Sequence, residues 1–465
     1  MRDRATLTVP GGRGYGARPM PAARHVLAVS ALALAAACTP IERPPAPLDA
    51  FAFPTGLGLS GGHLLVVSSN ADLTYEDDKG GSLLSLDPEG SVTLPGASAY
   101  TPPVFTGGIR VPSFGGPLVV ADPVACELPS GPEALFASRL SGDLYRVPVA
   151  ADGSLTCGQG CAVNLAEPGE GDPLSVTLAC VPGLPKRVFV GWRRSRIGAA
   201  CDPNAASTDT CAVVSEVSLG TVSRVNTGPV IFNAGAINAV AYDATTDLLF
   251  FATSGSRIGW VDLSTGCQLG SSAAPCSRQQ IDLGQVARGA AARNVALSTP
   301  APGVPRRLYA LTRLLDPTAA SVGVEVQIGG ALIVLDLEPT SLGSLAARPI
   351  RTVPLTTGVS EMLVLPRSGK RDVVAITAID DGEIWFYDDE IGEVTGVLAR
   401  GQDGVPLVGL GPFAMAAEDR AGGVVRIYVT AFHGNYVTVV DVNDLDDPDP
   451  LKDPPGVTVI GRISG

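Results

Sequence analysis

The chain has 465 residues, and its 55 glycines and 39 prolines make up about a fifth of it, well above ordinary usage. Charged residues are 17% and apolar residues 45%, so the chain can bury a large core and is not disordered. The net charge of −13 repels phosphate backbones and argues against nucleic acid as a partner; three histidines leave little room for imidazole metal sites or triads.

The N-terminal stretch reads as an export signal. Val26 to Ala37 is an apolar run too short to span a bilayer, which takes about 20 residues. A basic segment, Met20-Pro-Ala-Ala-Arg-His25, precedes it and small residues follow, the layout of a secretory signal. The expected signal peptide covers residues 1–37, with Met20 as the start of translation. Leu34-Ala-Ala-Ala-Cys38 resembles the lipobox of bacterial lipoproteins, with its Leu one place early. That resemblance implies cleavage before Cys38 and lipidation of its thiol. The Pro-rich residues 38–50 then form a semi-rigid tether, and residues 51–465 form the folded domain. The expected address is the bacterial cell envelope, on the outer-membrane or periplasmic side.

Nine cysteines less the lipidated one leave eight. Proximity suggests Cys157–Cys161, Cys201–Cys211 and Cys267–Cys276, leaving Cys126 for Cys180. In an oxidising compartment such pairs staple loops. Cys157-x-x-x-Cys161 also has zinc-ligand spacing, but no second tight pair or histidine completes a site.

One phrase recurs along the rest of the chain: an apolar strand, a turn, a β-rich strand, a loop, and a third strand ending in Asp. In chain order the clear copies close on Asp87, Asp262, Asp336, Asp388 and Asp441. Two looser copies run through Ala134–Pro148 and Leu174–Ser218. Seven units spaced about 59 residues apart, with almost no helical periodicity, indicate an all-β repeat fold. A fourth strand is expected after most units, at Ser91-Val-Thr-Leu94 in the first and Val457-Thr-Val-Ile460 in the last. The expected architecture is a seven-bladed β-propeller of four-stranded antiparallel blades, six or eight being alternatives, with the last blade supplying all its own strands.

Tyr428-Val-Thr-Ala-Phe-His-Gly-Asn-Tyr-Val-Thr-Val-Val-Asp441 resembles the YVTN-type propeller repeat, with Ala431 in place of its first Asn. The resemblance implies a secreted or surface-bound propeller. With the lipobox, the whole is similar to uncharacterised bacterial lipoproteins carrying a propeller.

In such a fold the loops between second and third strands open on the face where each blade is entered. Those of the first, third and fifth units are long, and the others are short. Insertions gathered on one face suggest a binding face. Its candidate residues are Asn70, Asp72, Arg193, Arg194, Arg196, Arg257, Arg313, Asp380, Asp381, His433 and Asn435. The arginines could grip carboxylates or sulfated sugars, or simply pair with Asp72, Glu76, Asp77, Asp380 and Asp381. The carboxylates leave calcium as a candidate cofactor, although no D-x-D-x-D-G loop occurs; no other metal or cofactor is expected.

Enzyme-like motifs fail on context. Gly56-x-Gly58-x-x-Gly61 precedes a strand, not the helix a dinucleotide site needs. Gly58-x-Ser60-x-Gly62 sits in a hairpin with no Asp and His following in triad order. His63 and His433 lack orienting partners, and Trp192, Trp260 and Trp385 read as packing between blades. The expectation is a monomeric, lipid-anchored, non-enzymatic scaffold that binds an envelope protein or glycan. The alternative is a lactonase-like hydrolase, as YVTN-type propellers resemble, with a carboxylate, an Arg or a metal at the channel mouth.

Overall fold

The computed structural model describes residues 43–464, except 98, 159, 166–171, 195, 198–205, 207, 209, 220–222, 233–234, 268, 270–275, 321–324, 340–344 and 402–403. Seven antiparallel sheets follow one another along the chain. Blade 1 comprises Pro54–Ser60, His63–Ser68, Gly81–Asp87 and Val104–Val111; blade 2 comprises Gly115–Ala121, Glu133–Ser138, Asp143–Pro148 and Ala162–Asn164. Blade 3 comprises Pro173–Ala179, Arg187–Trp192, Thr210–Ser218 and Ser223–Phe232, with the short Arg196–Ile197 paired onto its third strand. Blade 4 comprises Ile237–Asp243, Leu248–Thr253, Arg257–Asp262 and Ser277–Asp282; blade 5 comprises Ala290–Leu297, Arg307–Leu315, Gln327–Pro339 and Leu345–Leu355. Blade 6 comprises Val359–Leu365, Val373–Ala378, Glu383–Asp388 and Glu393–Leu398; blade 7 comprises Pro412–Asp419, Val425–Ala431, Tyr436–Val442 and Val457–Ser464. Each first strand neighbours the first strands of the blades before and after it, and blade 7 meets blade 1. The fold is a seven-bladed β-propeller.

Strand composition follows position in the blade. Second strands such as Leu248-Leu-Phe-Phe-Ala-Thr253 and Val373-Val-Ala-Ile-Thr-Ala378 are buried on both faces between neighbouring blades, so they read as unbroken apolar runs. The outer strand Leu345–Leu355 alternates toward solvent. Seven apolar clusters result, one for each blade-to-blade interface; Phe189 and Phe251 share one, and Phe386 and Ile427 another. Each fully buried aliphatic or aromatic side chain contributes roughly 1.5–3 kcal/mol. Gly56 and Gly58 are required by this packing: a Cβ would lie 2.9 Å from the Gly116 carbonyl oxygen and 2.7 Å from Val120 Cγ2 of blade 2. That is the physical origin of the GxG spacing.

The recurring Asp also has a structural cause. Asp87, Asp262 and Asp388 accept the backbone N–H two residues on, at 3.0, 2.9 and 2.8 Å, and so fix the turn leaving the third strand. Asp441 and Asp336 lie opposite arginines on the second strands: Arg426 Nε–Asp441 Oδ1 is 2.7 Å and Arg307 Nε–Asp336 Oδ1 is 3.0 Å.

Blade 7 closes the ring with four strands of its own, without strand exchange. The seam is held by other means. Asn435 Oδ1 accepts the Phe53 N–H at 2.8 Å. Glu89 of blade 1 receives both Arg420 and Arg426 of blade 7, and Thr93 pairs with Arg462 on the last strand. This corrects one expectation. Ser91–Leu94 is not the fourth strand of blade 1; Glu89–Ser91 is a 3₁₀ turn started by Pro88, and the fourth strand is Val104–Val111. The Asp87 carbonyl accepts the Ser91 hydroxyl at 2.5 Å, which turns the chain out of the sheet and across to blade 7.

The compact unit begins at Pro44. Pro44–Ala50, at the end of the expected tether, lies along blade 1: Glu76 N–H donates to the Pro44 carbonyl at 3.0 Å, and Ala46 is fully buried. Cys38 and the expected signal segment lie outside the described residues. Disulfides join Cys126–Cys180, Cys157–Cys161 and Cys267–Cys276, as proximity suggested. Cys211 is also disulfide-bonded, and Cys201 lies outside the described residues. The bridges fit folding in an oxidising compartment. Among the described residues no helix is long and apolar enough to cross a membrane.

Candidate functional site

Every first strand carries a bulge near the point where the chain enters the blade. Register against the second strand slips at Thr55, 116–117, Leu174, Asn238, Arg293, 360–361 and 413–414. A bulged residue drops out of the ladder and its side chain is re-aimed. Since first strands wall the channel, the seven bulges ring its loop-bearing mouth. Side chains satisfy the ladder groups so released: Thr55 Oγ1 donates to the Gly115 carbonyl at 2.8 Å, Asn238 Nδ2 to the Ala292 carbonyl at 2.8 Å, and Thr377 Oγ1 to the Phe413 carbonyl at 3.0 Å. Each bond crosses to the next blade and so stiffens the rim.

Two bulges bring charge, Arg293 in blade 5 and Glu361 in blade 6. A cavity of about 480 Å³ opens beside Arg293, lined also by Arg193, Asn238, Ser254, Arg313, Glu325 and Gln327. Arg313 lies near the end of the second strand of blade 5, and Arg193 follows that of blade 3, with its N–H held by the Asp172 carbonyl at 2.9 Å. Burial pulls the Arg293 guanidinium down to about 10; Glu361 opposes this, and Arg313, Arg193 and Arg139 add to it. Burial and Arg139 likewise lower Arg193. Among the described residues, the buried Nε atoms of Arg293 and Arg313 have no hydrogen-bond partner. Burial pushes the Glu361 carboxyl up to about 7 against the pull of Arg293 and of the Asn294 amide that donates to it. A second hollow of about 330 Å³ continues the rim, lined by Phe114, Arg139, Leu140, Asp172 and Arg194. There Arg139 is paired with Asp172.

The structure separates the expected site residues into groups. It brings Arg193 and Arg313 together in the larger cavity, while Arg194 lies at the smaller hollow. Arg196 starts the short strand of blade 3. Arg257 lies beside Asp282, whose carboxyl is held down chiefly by the Ser256 hydroxyl at 2.6 Å. Asn70 is fully buried and staples its own loop, donating to the Ser113 hydroxyl at 2.8 Å and to the Tyr75 carbonyl at 3.2 Å. Asp72 caps Thr74, Asp381 accepts the Thr356 hydroxyl, and Asp380 sits over Gly358. Asn435 closes the ring at Phe53, and His433 stands exposed with its ring edge on Phe432. His63 hydrogen-bonds the Ala151 carbonyl from the opposite face of the disc. Trp192 donates to Ser215 at 2.8 Å inside the cluster between blades 2 and 3. Among the described residues no three His, Cys, Asp or Glu side chains are grouped to hold a metal ion.

Sequence reasoning missed Arg293, Glu361, Asn238 and Asn294. For two of them a composition cue exists, a polar residue within the first three positions of an otherwise apolar first strand, as in Ile237-Asn-Ala-Val240 and Ser360-Glu-Met-Leu363; Arg293 and Asn294 lie in the middle of Ala290–Leu297 and carry no such cue.

Many solved structures share the fold. Raptor from Chaetomium thermophilum superposes with a TM-score of 0.52 at 12% identity, over 83% of this chain and 28% of that one. The likeness is one of fold. At that identity it carries no function across, and this chain spans less than a third of Raptor's length. No protein-family model and no curated protein matches the sequence.

Proposed function

We propose that the protein is a non-enzymatic binding module of the bacterial cell envelope, tethered through lipid on Cys38, that holds a partner protein against its loop-bearing face. The supporting observation is the channel mouth, where Arg193 of blade 3 and Arg293 and Arg313 of blade 5 wall one cavity. A concavity with convergent polar groups that fix a ligand's orientation is a common feature of binding sites. The rim is preorganised, because blade-to-blade hydrogen bonds fix its bulges. A propeller scaffold suits protein binding, and Tyr428–Asp441 supports kinship with YVTN-type propellers. A glycan is the less favoured partner, because among the described residues no aromatic ring lines the cavity beside Arg293.

Two measurements test this reading. Intact mass of the mature protein from its native secretion route should show a diacyl or triacyl adduct on Cys38; an unmodified Cys38 would remove the anchor. Replacing residues 316–326 of the blade 5 loop by a short Gly-Ser turn should abolish cross-linking to a defined envelope protein while leaving the thermal midpoint unchanged. Cross-linking that survives the replacement would place the binding face elsewhere.

A second reading, a hydrolase, rests on Glu361. A carboxyl held near 7 and oriented by Asn294 has the properties of a general base. A lactone and ester panel that wild type turns over and Glu361→Gln does not would establish it.

A further inference from the structure

The larger cavity concentrates positive charge on a protein of net charge −13. Arg193, Arg293 and Arg313 line it together; burial first, and then the charges of neighbouring arginines, depress the basicity of Arg193 and Arg293. Such crowding is unfavourable by itself, and among the described residues the Nε atoms of Arg293 and Arg313 have no hydrogen-bond partner. An anion would relieve both costs. The guanidinium fork matches a carboxylate in shape, and two N–H groups can bond its two oxygens.

The arginines also continue along the rim. Arg139 and Arg194 line the neighbouring hollow, so the positive stripe runs from blade 2 to blade 5. A single small anion would meet only part of it. An extended ligand with repeated carboxylates would meet it throughout. Three carboxylates already stand along this stripe: Asp172 neutralises Arg139, Glu361 partly offsets Arg293, and the exposed Glu325 lies on the edge of the cavity.

We infer that the channel mouth between blades 3 and 5 is a carboxylate-binding site that takes an acidic segment of a partner polypeptide. This rests on the binding-module reading and names the chemistry that the module recognises. Arg293 and Arg313 supply the deepest contacts, Arg193 and Arg194 the outer ones, and Glu325 competes with the ligand at the edge.

The test uses the full mature chain and a fluorescein-labelled octaglutamate peptide, read by anisotropy at low and physiological salt. Octaglutamine, inorganic phosphate and a sulfated octasaccharide are the comparators. Octaglutamate should bind, weaken with salt and be displaced poorly by phosphate, and octaglutamine should not bind. Arg313→Gln and Arg193→Gln should each weaken binding about tenfold, Glu325→Gln should tighten it several-fold, and the distant exposed Arg348→Gln should leave it unchanged. The tightening by Glu325→Gln cannot arise from misfolding. Equal binding by wild type and Arg313→Gln, or tighter binding of the sulfated sugar, would overturn the inference. If octaglutamate fails while the blade 5 loop replacement still abolishes cross-linking, the carboxylate chemistry falls and the binding module stands. If the loop replacement has no effect and octaglutamate still binds, the reverse holds.

Discussion

Asn294 and Glu361 stand on the first strands of adjacent blades, and the Asn294 side-chain amide donates to the Glu361 carboxylate across the boundary. The contact exists because both strands are bulged at their entrance, Arg293 being the extra residue in one and residues 360–361 in the other. It joins the rim of the channel to its charge, and several consequences can be measured.

The first is a pH dependence. Burial raises the Glu361 carboxyl to about 7 from an ordinary value of 4.5. A raised carboxyl contributes stability that is full below its unfolded value and is lost as pH rises through the folded one. Between pH 5 and pH 8 the wild type should therefore lose roughly 1–3 kcal/mol relative to Glu361→Gln, which keeps the hydrogen bond without the charge. Urea midpoints at the two pH values check this; parallel pH slopes for the two proteins would refute it.

Arg293 should carry a cost of the same origin. Its charge is buried, opposed by three other arginines and only partly offset by Glu361. Arg293→Met combined with Glu361→Gln removes both buried charges, so the fold should gain about 1–2 kcal/mol in chemical denaturation at pH 8, where Arg293→Met alone leaves Glu361 without its counter-charge. Octaglutamate binding should fall in the same variant. A loss of stability would show that the Glu361 attraction outweighs the repulsion.

The blades themselves were legible because burial on both faces writes an unbroken apolar second strand seven times over. The terminal Asp was legible as a period, though its cause, a turn cap or an arginine opposite, needed the register. The fourth strand of blade 1 was not legible. Ser91-Val-Thr-Leu94 has strand composition, and only the 3₁₀ turn at Glu89–Ser91 and the pull of Arg462 on Thr93 divert it. The site was half legible. Arg193 and Arg313 sit in loops or at strand ends that one pass along the chain reveals. Arg293 and Glu361 depend on one-residue slips in register, and periodicity alone does not show those.

The ring seam should be more sensitive at one half-buried hydrogen bond than at its ion pairs. Asn435 sits at φ 52 and accepts the Phe53 N–H. Asn435→Gly tolerates that φ but orphans the donor, costing about 1–2 kcal/mol. Arg420→Ala, which removes partly exposed pairs with Glu89 and Glu418, should cost about 1 kcal/mol or less. Thermal midpoints of the two variants should rank in that order.

The disulfides should differ in worth. Cys126–Cys180 spans 54 residues and joins blade 2 to blade 3, while Cys157–Cys161 spans 4. Chain entropy alone gives about 4 kcal/mol for the first and about 2 for the second. Cys126→Ser with Cys180→Ser should therefore lower the urea midpoint more than the paired serine variant at Cys157 and Cys161.

Hydrogen exchange on the full mature chain, with and without octaglutamate, tests the central claim most directly. The account predicts slowed exchange at the mouth ends of Ala290–Leu297 and Arg307–Leu315 and around Arg193, with the outer strands unchanged. Protection confined to Val457–Ser464 and the neighbouring Thr93–Tyr100 segment, or none anywhere, would contradict it.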